Sequence, residues 1–219
     1  MNSKVTKRAK MDIVQVHINE VINLTVPHVG EQIFGGLETD DLIHCLKVSN
    51  IWRDLAEKTL LSKWTGKLLE ACRKGKIEVI DILLDNLEET DELKAKDGVG
   101  KTAFHLACFF GHGIVVKSLL DHPSSQNMDI NAQDKYGETG FIYACENGHK
   151  EVVKLLLDHP NCKNLDVNHK DKSKYTAYNW ALEKRHTEII QLLEEYSESR
   201  GIDLSSDIVW QTALCGGLL

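Results

Sequence analysis

Three stretches of this chain repeat one another at a spacing of 37 residues. GKTAFHLACFFGHGIVVKSLLDHP occupies residues 100–123, GETGFIYACENGHKEVVKLLLDHP occupies 137–160 and KYTAYNWALEKRHTEIIQLLEEY occupies 174–196. Thr102, Thr139 and Thr176 are equivalent in this register, as are Ala107, Ala144 and Ala181, and His112, His149 and His186. A fixed period in this range predicts a stacked solenoid, in which each unit buries its apolar face only against its neighbours. Such an array builds extended surfaces rather than enclosed pockets, so the repeat constrains function as well as fold.

Each unit opens on a turn segment: DGVGKT (97–102), DKYGET (134–139) and DKSKYT (171–176). Asp and Gly supply the turn geometry. Thr102, Thr139 and Thr176 are then placed as helix N-caps, each hydroxyl accepting a free amide of the first turn. A short helix follows (AFHLACFF, GFIYACEN, AYNWALEK), with apolar positions recurring at i and i+3. Gly111-His112 and Gly148-His149 end it, with glycine suited to a left-handed residue past the helix. A second helix carries IVVKSLL or EVVKLLL, and His122-Pro123 or His159-Pro160 stops it. Arg185 stands where the other copies have glycine, and a left-handed arginine costs on the order of 1 kcal/mol. Gly140 begins its helix without the preset backbone of a proline, so Gly140→Pro is expected to raise the melting temperature. LLEACRKGKIEVIDILLDNL (68–87) aligns as an earlier, capless copy, as expected of an N-terminal cap of the array.

This order of elements resembles the ankyrin repeat, whose T-P-L-H-x-A signature stands here as TAFHLA, TGFIYA and TAYNWA. The resemblance covers residues 65–204, in units of about 65–96, 97–133, 134–170 and 171–204. The period exceeds the usual ~33 by about four residues, which fall in the connectors HPSSQNM and HPNCKNL. His105 occupies the signature histidine position, where the family uses a local hydrogen bond. The resemblance implies a protein partner, bound by the turn tips and the exposed face of the first helix. By position that face comprises Val99, Lys101, Phe109 and Phe110; Lys135, Tyr136, Glu138, Glu146 and Asn147; and Lys172, Tyr175, Glu183 and Lys184. Phe109-Phe110 is its sharpest feature, because two adjacent rings cannot both point into one helix seam. Either one of them, with Val99 and Tyr136, forms a binding hot spot, or one packs on the long connector.

The remaining composition narrows the function classes. A net charge of −7 argues against a nucleic-acid surface, which carries a basic face. No apolar run reaches the roughly 18 residues of a membrane span. The basic start (Lys4, Lys7, Arg8, Lys10) reads as a solvated terminus, with a nuclear address as the sharper alternative, and is no secretory signal. Cys72, Cys108 and Cys145 follow Ala71, Ala107 and Ala144 in register. They read as small buried residues of the helix seam, with a reducing compartment, cytoplasm or nucleus, as the consequence. No CxxC or CxxH pair marks a zinc site, and the repeat histidines lie in different layers, so no metal and no cofactor is expected. No catalytic signature appears; GVGKT (98–102) lacks the first glycine of a phosphate loop and belongs to a repeat turn. The expectation is a binding protein, monomeric by itself, and not an enzyme.

Residues 26–64 do not repeat. Ile33, Phe34, Leu37, Leu42, Leu46, Val48, Ile51, Trp52 and Leu55 predict two or three short helices, with Gly35-Gly36 breaking the first and Thr39 capping the second. Such a unit is too small for a large core. The segment resembles an F-box: Val26-Pro27, Ile33-Phe34, Leu37, Asp41-Leu42-Ile43, then Val48-Ser49-Asn50-Ile51-Trp52-Arg53-Asp54-Leu55. It departs from that pattern in a one-residue shortening between Pro27 and Ile33 and in Ser49-Asn50, where Cys-Lys is usual. The resemblance implies docking on the Skp-type linker of a Skp–cullin–F-box ubiquitin ligase through Pro27, Ile33, Phe34, Leu42, Val48 and Trp52. The expected fold is all-α: a flexible segment (1–22), an F-box-like helical domain (23–64), the ankyrin solenoid (65–204) and a tail (205–219). The expected function is a substrate-recruiting adaptor of that ligase, the alternative being a stand-alone scaffold or inhibitor whose N-terminal helices only cap the array.

Overall fold

A computed structural model describes residues 34–48, 50–65, 67–86, 91–124 and 128–204. The chain divides into two compact units, residues 1–65 and 66–219. Among the described residues all regular structure is helical.

The first unit holds α1 (Thr39–Cys45) and α2 (Asn50–Trp64). Phe34, Leu42, Trp52, Ala56, Leu60 and Trp64 are buried and form its core. Phe34 meets Trp52 edge to face at 5.7 Å. The expected Thr39 cap is corrected: Glu38 is the N-cap residue and makes no side-chain bond to the helix. The Thr39 hydroxyl instead accepts the Trp64 indole N–H at 3.2 Å, tying the start of α1 to the end of α2.

The second unit is a row of helix pairs. Repeat one has α3 (Leu68–Lys74) and α4 (Ile77–Asp85), followed by a single turn, α5 (Asp91–Lys94). Repeat two has α6 (Ala103–Phe109) and α7 (Gly113–Asp121). Repeat three has α8 (Gly140–Glu146) and α9 (Lys150–Asp158). Repeat four has α10 (Ala177–Glu183) and α11 (Thr187–Arg200). The periodic apolar positions are the buried ones. Phe104, Phe141 and Tyr178 are equivalent and buried, and so are Leu119, Leu156 and Leu193. Each such side chain contributes roughly 1.5–3 kcal/mol by leaving water. Ala71, Ala107, Ala144 and Ala181 are wholly buried, and their small size lets successive first helices approach closely. Cys45, Cys72, Cys108, Cys145 and Cys162 are all free and buried. Burial pushes the Cys72 thiol up to about 12 and holds the Cys108 thiol well above its ordinary value, so both are packing residues rather than nucleophiles.

The local signals act as expected at the helix starts. Thr102, Thr139 and Thr176 each accept the backbone amide of the third helical residue. Thr102 and His105 form a reciprocal box, because His105 Nδ1 accepts the Thr102 amide at 3.2 Å. Asn179 does the same for Thr176 at 3.0 Å. Repeat one lacks the threonine, and its Lys67 makes no side-chain cap.

The expectation for Gly140 is overturned. A Cβ built there would lie 2.8 Å from the Phe104 ring and 3.2 Å from Cys108 Sγ. Phe104 is itself buried, so its ring would have to shift within packed surroundings. Gly140 is therefore a clearance for the preceding repeat, and a proline would collide there rather than stabilise the helix start.

Candidate protein-binding face

The turns that open repeats two, three and four are built on Asp97, Asp134 and Asp171. Asp97 Oδ1 accepts the amides of Val99 and Lys101, both at 2.9 Å. Asp134 Oδ1 accepts those of Tyr136 at 2.8 Å and Glu138 at 3.1 Å, and Asp171 Oδ1 accepts that of Tyr175 at 2.9 Å. The second carboxylate oxygen finds a different partner in each copy. Asp97 faces Arg73 of the preceding repeat at 3.7 Å. Asp134 accepts the Tyr143 hydroxyl at 2.7 Å, and Asp171 accepts the Trp180 indole N–H at 2.9 Å. Leu106, Tyr143 and Trp180 share one register position. Where leucine stands there, the aspartate turns to the arginine of its neighbour.

The turns are stitched to one another. The Lys135 amide donates to the Val99 carbonyl at 2.9 Å, and the Lys172 amide donates to the Tyr136 carbonyl at 3.0 Å. The same lysines repeat the link with their side chains: Lys135 Nζ donates to Gly98 O at 2.6 Å and Lys172 Nζ to Lys135 O at 2.7 Å. Lys135 and Lys172 are exposed at the turn tips, yet each also ties its turn to the one before.

A second seam runs through the histidines. His112, His149 and His186 each donate Nε2–H to a carbonyl of the preceding repeat: Arg73 at 3.1 Å, Phe109 at 2.9 Å and Glu146 at 2.9 Å. The glycine two residues after each acceptor is left-handed, with φ of 65° at Gly75, 71° at Gly111 and 77° at Gly148. A Cβ at any of the three would come within 2.4–2.8 Å of that histidine ring. His105, at the signature position, also bridges repeats, donating Nε2–H to the Glu138 carbonyl at 3.1 Å. Burial depresses its pKa below the ordinary histidine value. Among the described residues no group of three or more His, Cys, Asp or Glu side chains could hold a metal ion.

The two phenylalanines resolve into different roles. Phe109 is half-buried, edge to face with Tyr143 of the next repeat at 5.3 Å. The Lys101 ammonium sits over both rings, 4.3 Å from Phe109 and 4.0 Å from Tyr143, a cation–π arrangement. Phe110 is 42% exposed and Tyr136 is 60% exposed. One ring therefore packs on Tyr143, and the other is presented. Val99 and Glu138 are half-buried. Burial raises the Glu138 carboxyl above its usual range against the opposing bond from Tyr143, and Glu146, Asp134 and Asp171 add to the rise. Glu146 faces Lys184 across the repeats at 3.7 Å, and Lys184 lies 5.4 Å from the Trp180 ring, which Tyr175 also contacts. Asn147 is exposed but its amide donates to the Tyr143 carbonyl at 2.9 Å; Glu183 is exposed.

The N-terminal docking candidates separate differently. Pro27 and Ile33 lie outside the described residues. Phe34, Leu42 and Trp52 are core residues of their own unit and present no surface; of the described candidates only Val48 does, at 42% exposure. Position-by-position reading also missed Ile114, the most exposed large apolar side chain among the described residues at 72%. The signal was its column: Glu78, Glu151 and Glu188 hold the equivalent place in the other repeats.

Paired short helices on hydrogen-bonded turns, stacked through alanine seams and histidine bridges, define a helical-repeat binding scaffold. The sequence profile described as "Ankyrin repeats (3 copies)" matches residues 54–134 and 124–206, together more than half of the chain. The chain belongs to the ankyrin-repeat family. No curated protein matches it at a significant level. Ankyrin repeats typically serve as non-enzymatic scaffolds for protein partners, and no described helix is long and apolar enough to cross a membrane.

Proposed function

We propose that this protein is a two-part adaptor, recruiting a protein through its repeat face to a Skp–cullin–F-box ubiquitin ligase engaged by its N-terminal unit. The observation that carries the recruiting half is the aromatic face of repeats two and three. Phe110 and Tyr136 are exposed there, beside a Phe109–Tyr143–Lys101 cluster held in place by packing. Aromatic rings held rigidly and half in water give large contact area at little entropic cost. The N-terminal half rests on the F-box-like order of residues 26–55 and on exposed Val48. A reducing compartment, cytoplasm or nucleus, belongs to the same reading and fits the five free, buried thiols among the described residues.

Two experiments test the two halves separately. Phe109→Glu with Phe110→Asn installs the pair that repeat three already carries. It is expected to leave the helical circular dichroism intact while abolishing capture of proteins crosslinked to the wild type. Retained capture would sink the recruiting face. For the other half, Val48→Asp is the informative change, because Trp52 and Leu42 are core and their loss would unfold the unit. Co-purification with the purified Skp-type linker is expected for wild type and lost in Val48→Asp. A linker that ignores wild type would reject the ligase role. The second reading, a stand-alone scaffold or inhibitor, then remains, and the burial of Phe34, Leu42 and Trp52 within their own unit favours it.

A further inference from the structure

The recurring columns run on past the last described helix. Met128-Asp129-Ile130-Asn131 and Leu165-Asp166-Val167-Asn168 lead into the turns of repeats three and four, and Ile202-Asp203-Leu204-Ser205 follows at the same spacing of 37 residues. Asp207 and Thr212 then stand five residues apart, as do Asp134 and Thr139, and Asp171 and Thr176. Ala213 and Leu214 follow Thr212 as Ala177 and Tyr178 follow Thr176. DIVWQTAL (207–214) therefore has the order of a turn aspartate, a cap threonine and the start of a first helix. It comes one residue early and lacks the turn glycine.

The described start of this segment is already held as an interior connector is. α11 ends on left-handed Gly201, and the Ile202 amide donates to the Ser197 carbonyl at 2.9 Å, which turns the chain back. Asn131 donates its side-chain amide to the Asn164 carbonyl, in the connector that follows α9, at 2.7 Å. The equivalent Asn168 donates to the Asp203 carbonyl, in the segment that follows α11, at 3.3 Å.

The outer face of repeat four is the less covered one. Phe104 and Cys108 face the next first helix, since both crowd the space above Gly140. Their equivalents are Phe141 and Cys145, then Tyr178 and Leu182. Cys108 and Cys145 are wholly buried, whereas Leu182 is partly exposed; Val116 and Val153 are wholly buried, whereas their equivalent Ile190 is partly exposed. The column that meets each preceding ring holds a small residue, Gly140 after Phe104 and Ala177 after Phe141, and Ala213 is in line to follow Tyr178.

We propose that residues 205–214, which lie outside the described residues, open a fifth repeat and dock on the outer face of repeat four. Thr212 caps the new helical turn, and Ala213 lies against Tyr178 and Leu182. Lys174 keeps a Cβ where Gly137 has none, so the turn at 207–212 stands off from that of repeat four and the contact falls on the first-helix column. Continuity decides the occupant. The segment is tethered to repeat four at Asp203, and a short tether gives it an effective concentration that a partner or a second copy does not match. This goes beyond the adaptor reading and does not depend on it.

The probe is the thiol of Cys215, which stands in the column of His105, Ile142 and Asn179, all buried. The other five cysteines are buried too, so rapid labelling of the native full chain with a disulfide reagent such as DTNB reports Cys215 alone. Cys215 is expected to react at least tenfold more slowly in the chain than in a synthetic peptide of residues 205–219. Leu182→Glu, at the docking face, and Thr212→Gly, at the cap, are each expected to restore the rate of the peptide with the helical circular dichroism unchanged. Thr212→Gly decides the matter if Leu182→Glu disturbs repeat four. Labelling of the wild type as fast as the peptide would overturn the proposal, as would protection that Thr212→Gly leaves intact. Protection that grows with protein concentration would overturn it as well, by making a second copy the occupant.

Discussion

Repeats two and three differ from repeat four at two backbone positions, and both differences have one physical origin. Gly100, Gly137 and Lys174 are equivalent turn residues with φ of 92°, 76° and 68°; Gly111, Gly148 and Arg185 are equivalent post-helical residues with φ of 71°, 77° and 60°. The left-handed conformation is thus kept in all three copies, while the glycine is given up only in the last. In the interior copies a Cβ would strike the following repeat. At Gly137 it would lie 3.0 Å from the Lys172 amide, and at Gly111 it would lie 2.4 Å from the His149 ring. The turn and hairpin of repeat four have no fifth helix pair against them among the described residues. Interior glycines answer two demands, backbone conformation and clearance, and the last copy answers only the first.

The largest effect is expected where both demands are violated. Gly111→Ala should cost about 2–4 kcal/mol. Roughly 1–2 of that is the left-handed backbone, and the rest is displacement of the His149 ring and weakening of its roughly 1 kcal/mol bond to the Phe109 carbonyl. Urea unfolding followed by circular dichroism measures it. In a His149→Ala background the ring is gone, so the same substitution should cost only the backbone share. Equal costs in the two backgrounds would show that clearance plays no part and that conformation alone selects glycine.

Gly140 tests clearance without any left-handed demand. Its Cβ would enter the space of the buried Phe104 ring, so Gly140→Ala should destabilise by about 1–3 kcal/mol, the range for overpacking a tight core. Ala103 and Ala177 hold the equivalent position without difficulty, so alanine is not excluded by the helix itself. A gain in melting temperature for Gly140→Ala would mean that Phe104 has room to move and that the glycine is incidental.

That position also shows where sequence reading stops. Caps at Thr102, Thr139 and Thr176 were legible because the cap, its acceptor and its donor lie within four residues of one another. The left-handed Arg185 was legible because a glycine column pointed to it. Gly140 was misread because its reason lies 36 residues away, in the orientation of the Phe104 ring, which no local pattern encodes. Lys174 stands in the column of Gly100 and Gly137 at the same 37-residue spacing, so its left-handed backbone was legible by the same argument as that of Arg185, and was overlooked. On the candidate face, the exposure of one ring of Phe109-Phe110 followed from the impossibility of burying two adjacent rings in one seam, but which ring it is did not. The Lys101–Phe109–Tyr143 cluster did not, since it joins residues of two repeats. Phe34, Leu42 and Trp52 matched a docking pattern, but their burial in the first unit is set by how α1 meets α2. A motif does not carry that information.

Acid should act on repeat two in a way that the other repeats escape. His105 is buried and neutral, its Nδ1 accepting the Thr102 amide and its Nε2–H donating to Glu138. Its folded pKa lies below the unfolded value of about 6.5. Its contribution to stability is complete above about 6.5 and falls away as pH drops through that value toward the depressed folded pKa. Over that window one proton taken up on unfolding gives a slope of up to about 1.4 kcal/mol per pH unit. Ile142 and Asn179 stand in the same column and do not titrate. His105→Asn should therefore keep a cap like that of Thr176 and Asn179 while flattening the loss of stability as pH falls below about 6.5. An unchanged pH profile in that variant would place the acid sensitivity elsewhere.

The smallest effect is expected in repeat four, and its sign carries the comparison. Arg185→Gly and Lys174→Gly relieve a left-handed backbone worth roughly 1–2 kcal/mol each. Glycine returns part of that gain through the added freedom of the unfolded chain, roughly 0.5–1 kcal/mol. A net stabilisation of about 0.5–1 kcal/mol per substitution remains, additive in the double variant because the two sites lie in separate turns. Thermal and urea unfolding of the two single variants and the double resolve it. Opposite signs at position 185 and at positions 111 and 148 would establish that one column is governed by two separable forces. A loss at 185 instead would mean that the exposed arginine side chain makes a contribution of its own, larger than the strain it imposes on the backbone.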